Sequence, residues 1–207
     1  MKKQGILTII SGFSGVGKGT IVNRLMEKYP QEYCLSISAT TRQPRVGDVD
    51  GVNYFFVSRE VFESMIREGR LLEYAQYVGN YYGTPKDFVV DKLNQGVNVI
   101  LEIEMQGALK MKAQYPESLL IFVAPTKASD LEERLRGRGT ETEEQIQNRL
   151  KRAAEEAVYM KDYEYVVVND DVERAVSEIH EIITNEHDRV LRRMDFIDTL
   201  TSDLNAM

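Results

Sequence analysis

The residues best equipped for chemistry stand together near the start of the chain. Gly12-Phe13-Ser14-Gly15-Val16-Gly17-Lys18-Gly19-Thr20 sets glycines at close intervals ahead of a lysine, with Gly12-x-x-x-x-Gly17-Lys18 as its frame. Glycines let a backbone curl until successive N–H groups point inward, and such a ring receives an anion with several oxygens. A helix opening at the same place adds unsatisfied N–H groups and the positive end of its dipole. Lys18 supplies a mobile cation for the β- and γ-phosphates of a nucleotide. The stretch departs from the phosphate-loop pattern in one position. That pattern has Ser or Thr directly after the lysine, to hold Mg²⁺, whereas Gly19 follows here and Thr20 comes next. Magnesium therefore falls mainly to the phosphates, to water and to an acid elsewhere. Without its context, the stretch is a glycine-rich turn with a chance lysine.

The flanking residues supply the context. Ile6 to Ile10 is a short apolar run with β-branched residues, the mark of a buried strand. Ile21, Val22, Leu25, Met26 and Tyr29 repeat at helical spacing until Pro30. Further along, 33–38 reads as a second strand, and Thr40 to Gly51 as a polar, turn-rich loop. Tyr54 to Val57 is a short aromatic strand. Ser58 caps a helix that Gly69 closes. Leu71 to Val78 is extended, with a turn at Gly79-Asn80. Thr84-Pro85 opens a helix with Asp87 in capping-box position. Val97 to Ile103 is strongly apolar and ends in Glu102 and Glu104. A helix runs from about Gly107 to Pro116, followed by a continuous apolar strand, Leu119 to Ala124. Ser129-Asp-Leu-Glu132 reads as a capping box, a helix carries Ile146, Leu150 and Ala153, Tyr165 to Val168 is a strand, and a helix starts near Asp171. Strands almost without polar alternation, separated by helices, predict an α/β fold: a parallel sheet with helices on both faces. The segments 38–95 and 127–162 read as insertions, flaps over a cleft at the strand ends.

Composition narrows the setting. The 207 residues are 43% apolar and 29% charged, enough for one well-packed core. A net charge of −7 argues against binding nucleic acid or an anionic membrane surface, and makes local basic clusters suggestive of a small anionic ligand. Cys34 is the single cysteine, so no intrachain disulfide forms, which suits a reducing compartment. No run approaches a membrane span, and a cytoplasmic location is expected. Past Glu186, Val190, Met194 and Ile197 keep helical spacing, as either a longer packing helix or a subunit contact.

A second constellation lies in the loop after the second strand: Thr40-Thr41-Arg42-x-x-Arg45-x-x-Asp48-x-x-Gly51-x-x-Tyr54-x-Phe56-Val57. Two arginines three apart, with a tyrosine further on, can clamp a monophosphate through forked guanidinium donors and a hydroxyl. Alone, two arginines in a loop usually read as solvated surface. The full spacing, however, resembles the signature of guanylate kinase. So do Gly79-Asn80-Tyr81-Tyr82-Gly83 and Gly137-Arg138-Gly139-Thr140-Glu141-Thr142, in family order, within a resemblance running from about residue 5 to 185.

The resemblance implies a nucleoside monophosphate kinase fold with a P-loop core (1–37, 96–126 and 163–207), a GMP-binding domain (38–95) and a lid (127–162). It implies transfer of the γ-phosphoryl group of ATP to GMP, and to dGMP, with Mg²⁺ as cofactor. By motif, Arg42, Arg45, Tyr54 and Tyr82 hold the GMP phosphate, while Ser38, Glu73 and Thr84 meet the guanine, unless Thr84 caps the helix instead. Glu104 falls where many members carry Asp. Arg134, Arg138 and Arg149 match lid arginines that reach the transferring phosphate, and Asn169 matches a position near the adenine. Glu102 and Glu104 share one face if both lie on a strand, suiting Mg²⁺-bound water and the guanine edge. Two rivals stand beside this reading. Guanylate-kinase-like binding modules keep the fold but lose the glycine loop or its lysine, which this chain retains. A kinase of a phosphorylated ribose would need no guanine reader. Self-association as a homo-oligomer fits either reading.

Overall fold

The computed structural model describes residues 4–77, 79–137, 139 and 142–207. In chain order its elements are β1 (Leu7–Gly12), α1 (Lys18–Lys28), β2 (Tyr33–Leu35), β3 (Ala39–Thr40), β4 (Phe55–Phe56), α2 (Arg59–Arg67), β5 (Leu71–Tyr77), β6 (Asn80–Pro85), α3 (Lys86–Asn94), β7 (Asn98–Glu102), α4 (Met105–Gln114), β8 (Leu119–Ala124), α5 (Ala128–Gly137), α6 (Glu143–Ala157), β9 (Tyr165–Val168), α7 (Val172–Glu186) and α8 (Met194–Asn205). Two of the sequence-predicted strands, β8 and β9, match residue for residue. No helix among the described residues is long and apolar enough to cross a membrane.

The central sheet runs β2-β7-β1-β8-β9, parallel throughout. Its middle strands are buried up to their carboxyl ends, Ile9, Ile10, Ile100, Leu120 and Ile121 among them. Burying each such side chain contributes about 1.5–3 kcal/mol, which is why these strands show no polar alternation. From β1 the chain moves out to β2, returns to β7, then crosses over β1 to β8. Its direction reverses at the carboxyl ends of β1 and β7, where open parallel sheets form their ligand crevice.

A second, smaller sheet runs β4-β3-β6-β5, with β3 and β6 antiparallel. It has its own apolar cluster, Ala39, Phe62 and Met65, against which Phe55, Ile66 and Tyr81 pack. The Ser58 hydroxyl accepts the Val61 N–H at 3.2 Å to start α2, and Gly69 follows that helix at φ +64°.

Several boundaries differ from the sequence reading for local reasons. The second strand stops at Leu35, and Thr40 belongs to β3 rather than to the loop. Pro85 stands at the N-cap of α3 with no side-chain cap bond, so neither Thr84 nor Asp87 caps it. Helix α4 starts at Met105, ahead of Gly107. Ser129 lies inside α5, where Asp130 closes the first turn by accepting the Lys127 N–H at 3.1 Å. The capping box sits instead on α6, between Thr142 and Gln145. The tail does not prolong α7: that helix ends at Glu186, and α8 follows a short 3₁₀ turn, Val190–Arg193.

Candidate nucleotide site

The glycine loop connects β1 to α1 and lies directly on its neighbours. A Cβ at Gly12 would come within 2.3 Å of the Val123 carbonyl oxygen, so only glycine allows this approach. Gly17 caps α1 at φ +98°, and a Cβ there would meet Asn169 Nδ2 at 2.7 Å. Two donors pin the loop from behind. Asn169 Nδ2 and Arg134 Nη1 each donate to the Val16 carbonyl at 2.8 Å, and Arg134 Nη2 donates to the Asn169 carbonyl at 2.7 Å. Asn169 is buried, and its own N–H donates to Ala124 at the end of β8. Phe13 turns its ring into the core, edge-on to Phe122, and so offers the site its backbone alone.

Lys18 Nζ donates to the Gly12 carbonyl at 2.7 Å and to the Phe13 carbonyl at 3.1 Å, which draws the ammonium across the loop. Arg149 Nη1 donates to Ser14 Oγ at 3.2 Å. At Gly19 the backbone leaves room: the nearest atom to a Cβ would be Glu102 Oε2, 3.8 Å away. Thr20 is exposed.

The two acids expected on one strand face part company. Glu102 ends β7 and turns to the loop lysine. Burial of its carboxyl raises the pKa, and the Lys18 charge pulls it down. Glu104 lies past the strand as the N-cap residue of α4, and its carboxylate accepts from Arg152 Nη2 at 2.7 Å. A cavity of about 270 Å³ opens among Gly12, Ser14, Lys18, Glu104, Arg149 and Arg152.

The smaller sheet gathers the second set. Arg42 Nη2 donates to Asp48 Oδ2 at 2.9 Å, and its guanidinium lies over the rings of Tyr54 and Phe56, 5.3 and 5.6 Å from their centroids. Asp48 Oδ2 also accepts the Arg45 backbone N–H at 2.7 Å. That N–H first, and Arg42 second, hold the Asp48 carboxyl below the usual range. The Arg45 side chain is exposed. Tyr54 meets Tyr82 edge-on, with centroids 6.0 Å apart. Buried Thr84 donates its hydroxyl to Glu73 Oε1 at 2.8 Å. Burial raises the Glu73 pKa, and the Thr84 bond opposes the rise. Ser38 sits at the start of this sheet, its carbonyl accepting the Phe55 N–H at 2.9 Å.

The structure therefore brings together Lys18, Ser14, Arg149 and Glu104 in one cleft, and Arg42, Tyr54 and Tyr82 in another cluster. Arg134 and Asn169 lie behind the loop. Arg138 lies outside the described residues. Sequence reasoning assigned nothing to Asp48, which organises the arginine loop, or to Arg152, which meets Glu104. Asp48 stood within the quoted motif, six residues after Arg42. Arg152 shows only as the position one turn beyond Arg149.

A family model described as Guanylate kinase matches residues 4–186. The guanylate kinase of Caldanaerobacter subterraneus subsp. tengcongensis is 54% identical over 195 residues, covering 94% of each chain. That of Halalkalibacterium halodurans is 53% identical over 186 residues, 90% of this chain and 91% of the other. Among solved structures, guanylate kinase from Anaplasma phagocytophilum is 32% identical and superposes with a TM-score of 0.70, over 92% of this chain and 90% of that one.

Proposed function

Since the chain belongs to the guanylate kinase family, whose members phosphorylate GMP to GDP at the expense of ATP, we propose how its own residues divide that work. The supporting observation is the loop itself. Lys18 is drawn across a glycine cradle closed from behind by Asn169 and Arg134, with Glu102 beside it. The backbone of 12–20 and Lys18 hold the phosphates of ATP, with Asn169 near the adenine. Arg42, Arg45, Tyr54 and Tyr82 hold the phosphate of GMP. Ser38, Glu73, Thr84 and Glu104 meet its base. Guanine offers adjacent donors at N1 and N2, and an ionised carboxylate is acceptor-only. Adenine lacks that donor pair, so a half-buried carboxylate such as Glu73 would be left without its partner.

Phosphoryl transfer asks little covalent work of the protein. It asks for two phosphates in line and for neutralisation of the spreading charge. Arg138 and Arg149 supply cations from the lid side, while Arg134, donating to the Val16 and Asn169 carbonyls, braces the loop that holds the phosphates. Closure of 127–162 over the core excludes water that would otherwise take the phosphoryl group. Glu102 is the acid suited to Mg²⁺: a hard carboxylate oxygen, facing the gap that Gly19 leaves where Ser or Thr would stand. The cation, when bound, neutralises charge on the β- and γ-phosphate oxygens.

On this reading 38–95 is the GMP-binding domain, dGMP also serves as acceptor, and the enzyme works in the cytoplasm. The exposed apolar residues of α8, Phe196, Leu200 and Leu204, support self-association. A coupled assay of ATP consumption across GMP, dGMP, AMP, CMP, UMP and ribose bisphosphate tests the assignment. Turnover should be confined to GMP and dGMP. Preference for the ribose bisphosphate, or no turnover with any acceptor, would refute it.

A further inference from the structure

Arg149, Arg152 and Glu156 recur at helical spacing on one face of α6, and all three line the cavity over the glycine loop. Arg152 makes a contact unlike that of the other arginines there. It crosses from α6 to the carboxyl end of β7, donating from Nη2 to Glu104 Oε2 at 2.7 Å and from Nε to Glu156 Oε1 at 2.9 Å. Glu104 makes no side-chain cap bond to α4, and it lines the cleft, where Arg152 is its partner.

We propose that Arg152 is a positioning residue that holds Glu104 in the absence of acceptor and yields it to the base of GMP. The proposal rests on the assignment of Glu104 to that base. Its chemical basis is a likeness of donors. Guanine presents N–H groups on two nitrogens joined through one carbon, N1 and N2. A guanidinium presents the same arrangement. Arg152 offers one N–H of that arrangement, Nη2, to one Glu104 oxygen and turns Nε to Glu156, so it occupies part of the carboxylate that the substrate edge would take, and GMP must displace it. Adenine has no such donor pair, so AMP leaves the ion pair in place.

Exposure sets the size of the effect. The Arg152 and Glu104 side chains are 52% and 77% exposed, so the pair is a weak latch. Contacts of this kind shift an equilibrium by about 2- to 5-fold. The latch also joins the α6 segment to the core, so acceptor binding frees α6 to move.

Equilibrium titration of GMP and AMP, without ATP, tests the proposal on the wild type, Arg152→Met, Glu104→Gln and the double variant. Arg152→Met should tighten GMP about 2- to 5-fold and leave AMP unchanged. In the Glu104→Gln background the Arg152 substitution should do nothing to GMP. Arg152→Lys, which keeps the charge but loses the planar group that spans Glu104 and Glu156, should fall between. If Glu104→Gln weakens GMP but Arg152→Met leaves it unchanged or weaker, the latch is overturned and the assignment of Glu104 stands. If Glu104→Gln leaves GMP affinity unmoved, the assignment itself fails, and the latch with it. Equal tightening of GMP and AMP would mean a general change in the cleft and would overturn the proposal.

Discussion

The proposed donor side of the site is one unbroken stretch, residues 12–20, folded between a strand and a helix that follow each other in the chain. The proposed acceptor side is assembled from β3, β4, β6 and the loop between the first two, so Arg42, Tyr54 and Tyr82 meet only once the smaller sheet has formed. The donor loop is braced by buried contacts, with Asn169 behind it. The proposed acceptor clamp is braced by a half-buried ion pair within a loop, Arg42 with Asp48. The contrast suggests a division of roles. A rigid loop can pre-set its N–H groups for a polyphosphate common to many enzymes, while a clamp on a separate sheet can carry the selectivity and move with its ligand.

Substitutions on the two sides should separate in kind. Lys18→Ala should show the largest loss, about 10²- to 10³-fold in kcat, because its charge-assisted contact strengthens as the transferring group develops charge. Lys18 reaches loop carbonyls rather than the apolar core, so circular dichroism and thermal melting should show an intact fold. Near wild-type turnover in a folded variant would remove the phosphate-loop assignment.

Arg42→Ala should raise the KM for GMP about 10- to 150-fold and that for ATP far less, as expected from losing a charged hydrogen bond. An equal rise for both substrates would make Arg42 a structural residue and erase the contrast between the two sides.

Glu73→Gln should lower kcat/KM for GMP about 10- to 100-fold and narrow the preference for GMP over AMP by a similar factor. It also carries a stability signature. Burial raises the folded-state pKa of Glu73 above its ordinary 4.5. The folded protein therefore binds the more protons over that interval, and stability contributed by this group falls as pH rises from 4.5 through the folded value. The difference in Tm between Glu73→Gln and wild type should grow in favour of the variant across that rise. Asp48 has the opposite sign: its depressed pKa contributes stability above the ordinary carboxylate range, lost as pH falls through the folded value. A Tm difference independent of pH would contradict the desolvation of the half-buried Glu73 carboxyl.

The smallest effect belongs to Gly19→Ser. The structure has room for a Cβ there, and serine is the better helix former by about 0.5 kcal/mol. A slight rise in Tm with kcat within a few-fold of wild type is expected. Loss of folding would show that the gap beside Glu102 is smaller than described.

Local features of this molecule were legible in its sequence, and long-range pairings were not. The glycine loop and the strands β8 and β9 are continuous runs whose composition and flanks define them. The Ser58 cap was equally plain, because cap and helix are adjacent. Thr84 was ambiguous until β5 and β6 paired and brought Glu73 to its hydroxyl; the helix start beside it then proved to need no side-chain cap. Arg134 matches a lid arginine by motif, and its guanidinium meets the Val16 carbonyl, a residue 118 positions away. No periodicity reports such a contact. Glu102 and Glu104 were placed on one face by strand alternation, which fails because the strand ends at Glu102. The arginine clamp was readable only through family resemblance, since two arginines in a polar loop look the same whether solvated or poised.

The central claim is that ATP and acceptor phosphates are held by separate sets of residues. It is tested most directly by calorimetric titration of ATP and of GMP into the wild type, Lys18→Ala and Arg42→Ala. A crossed pattern is predicted: Lys18→Ala weakens ATP and leaves GMP within about 2-fold, and Arg42→Ala weakens GMP at least about 10-fold and leaves ATP within about 2-fold. Parallel weakening of both nucleotides by either substitution would contradict it.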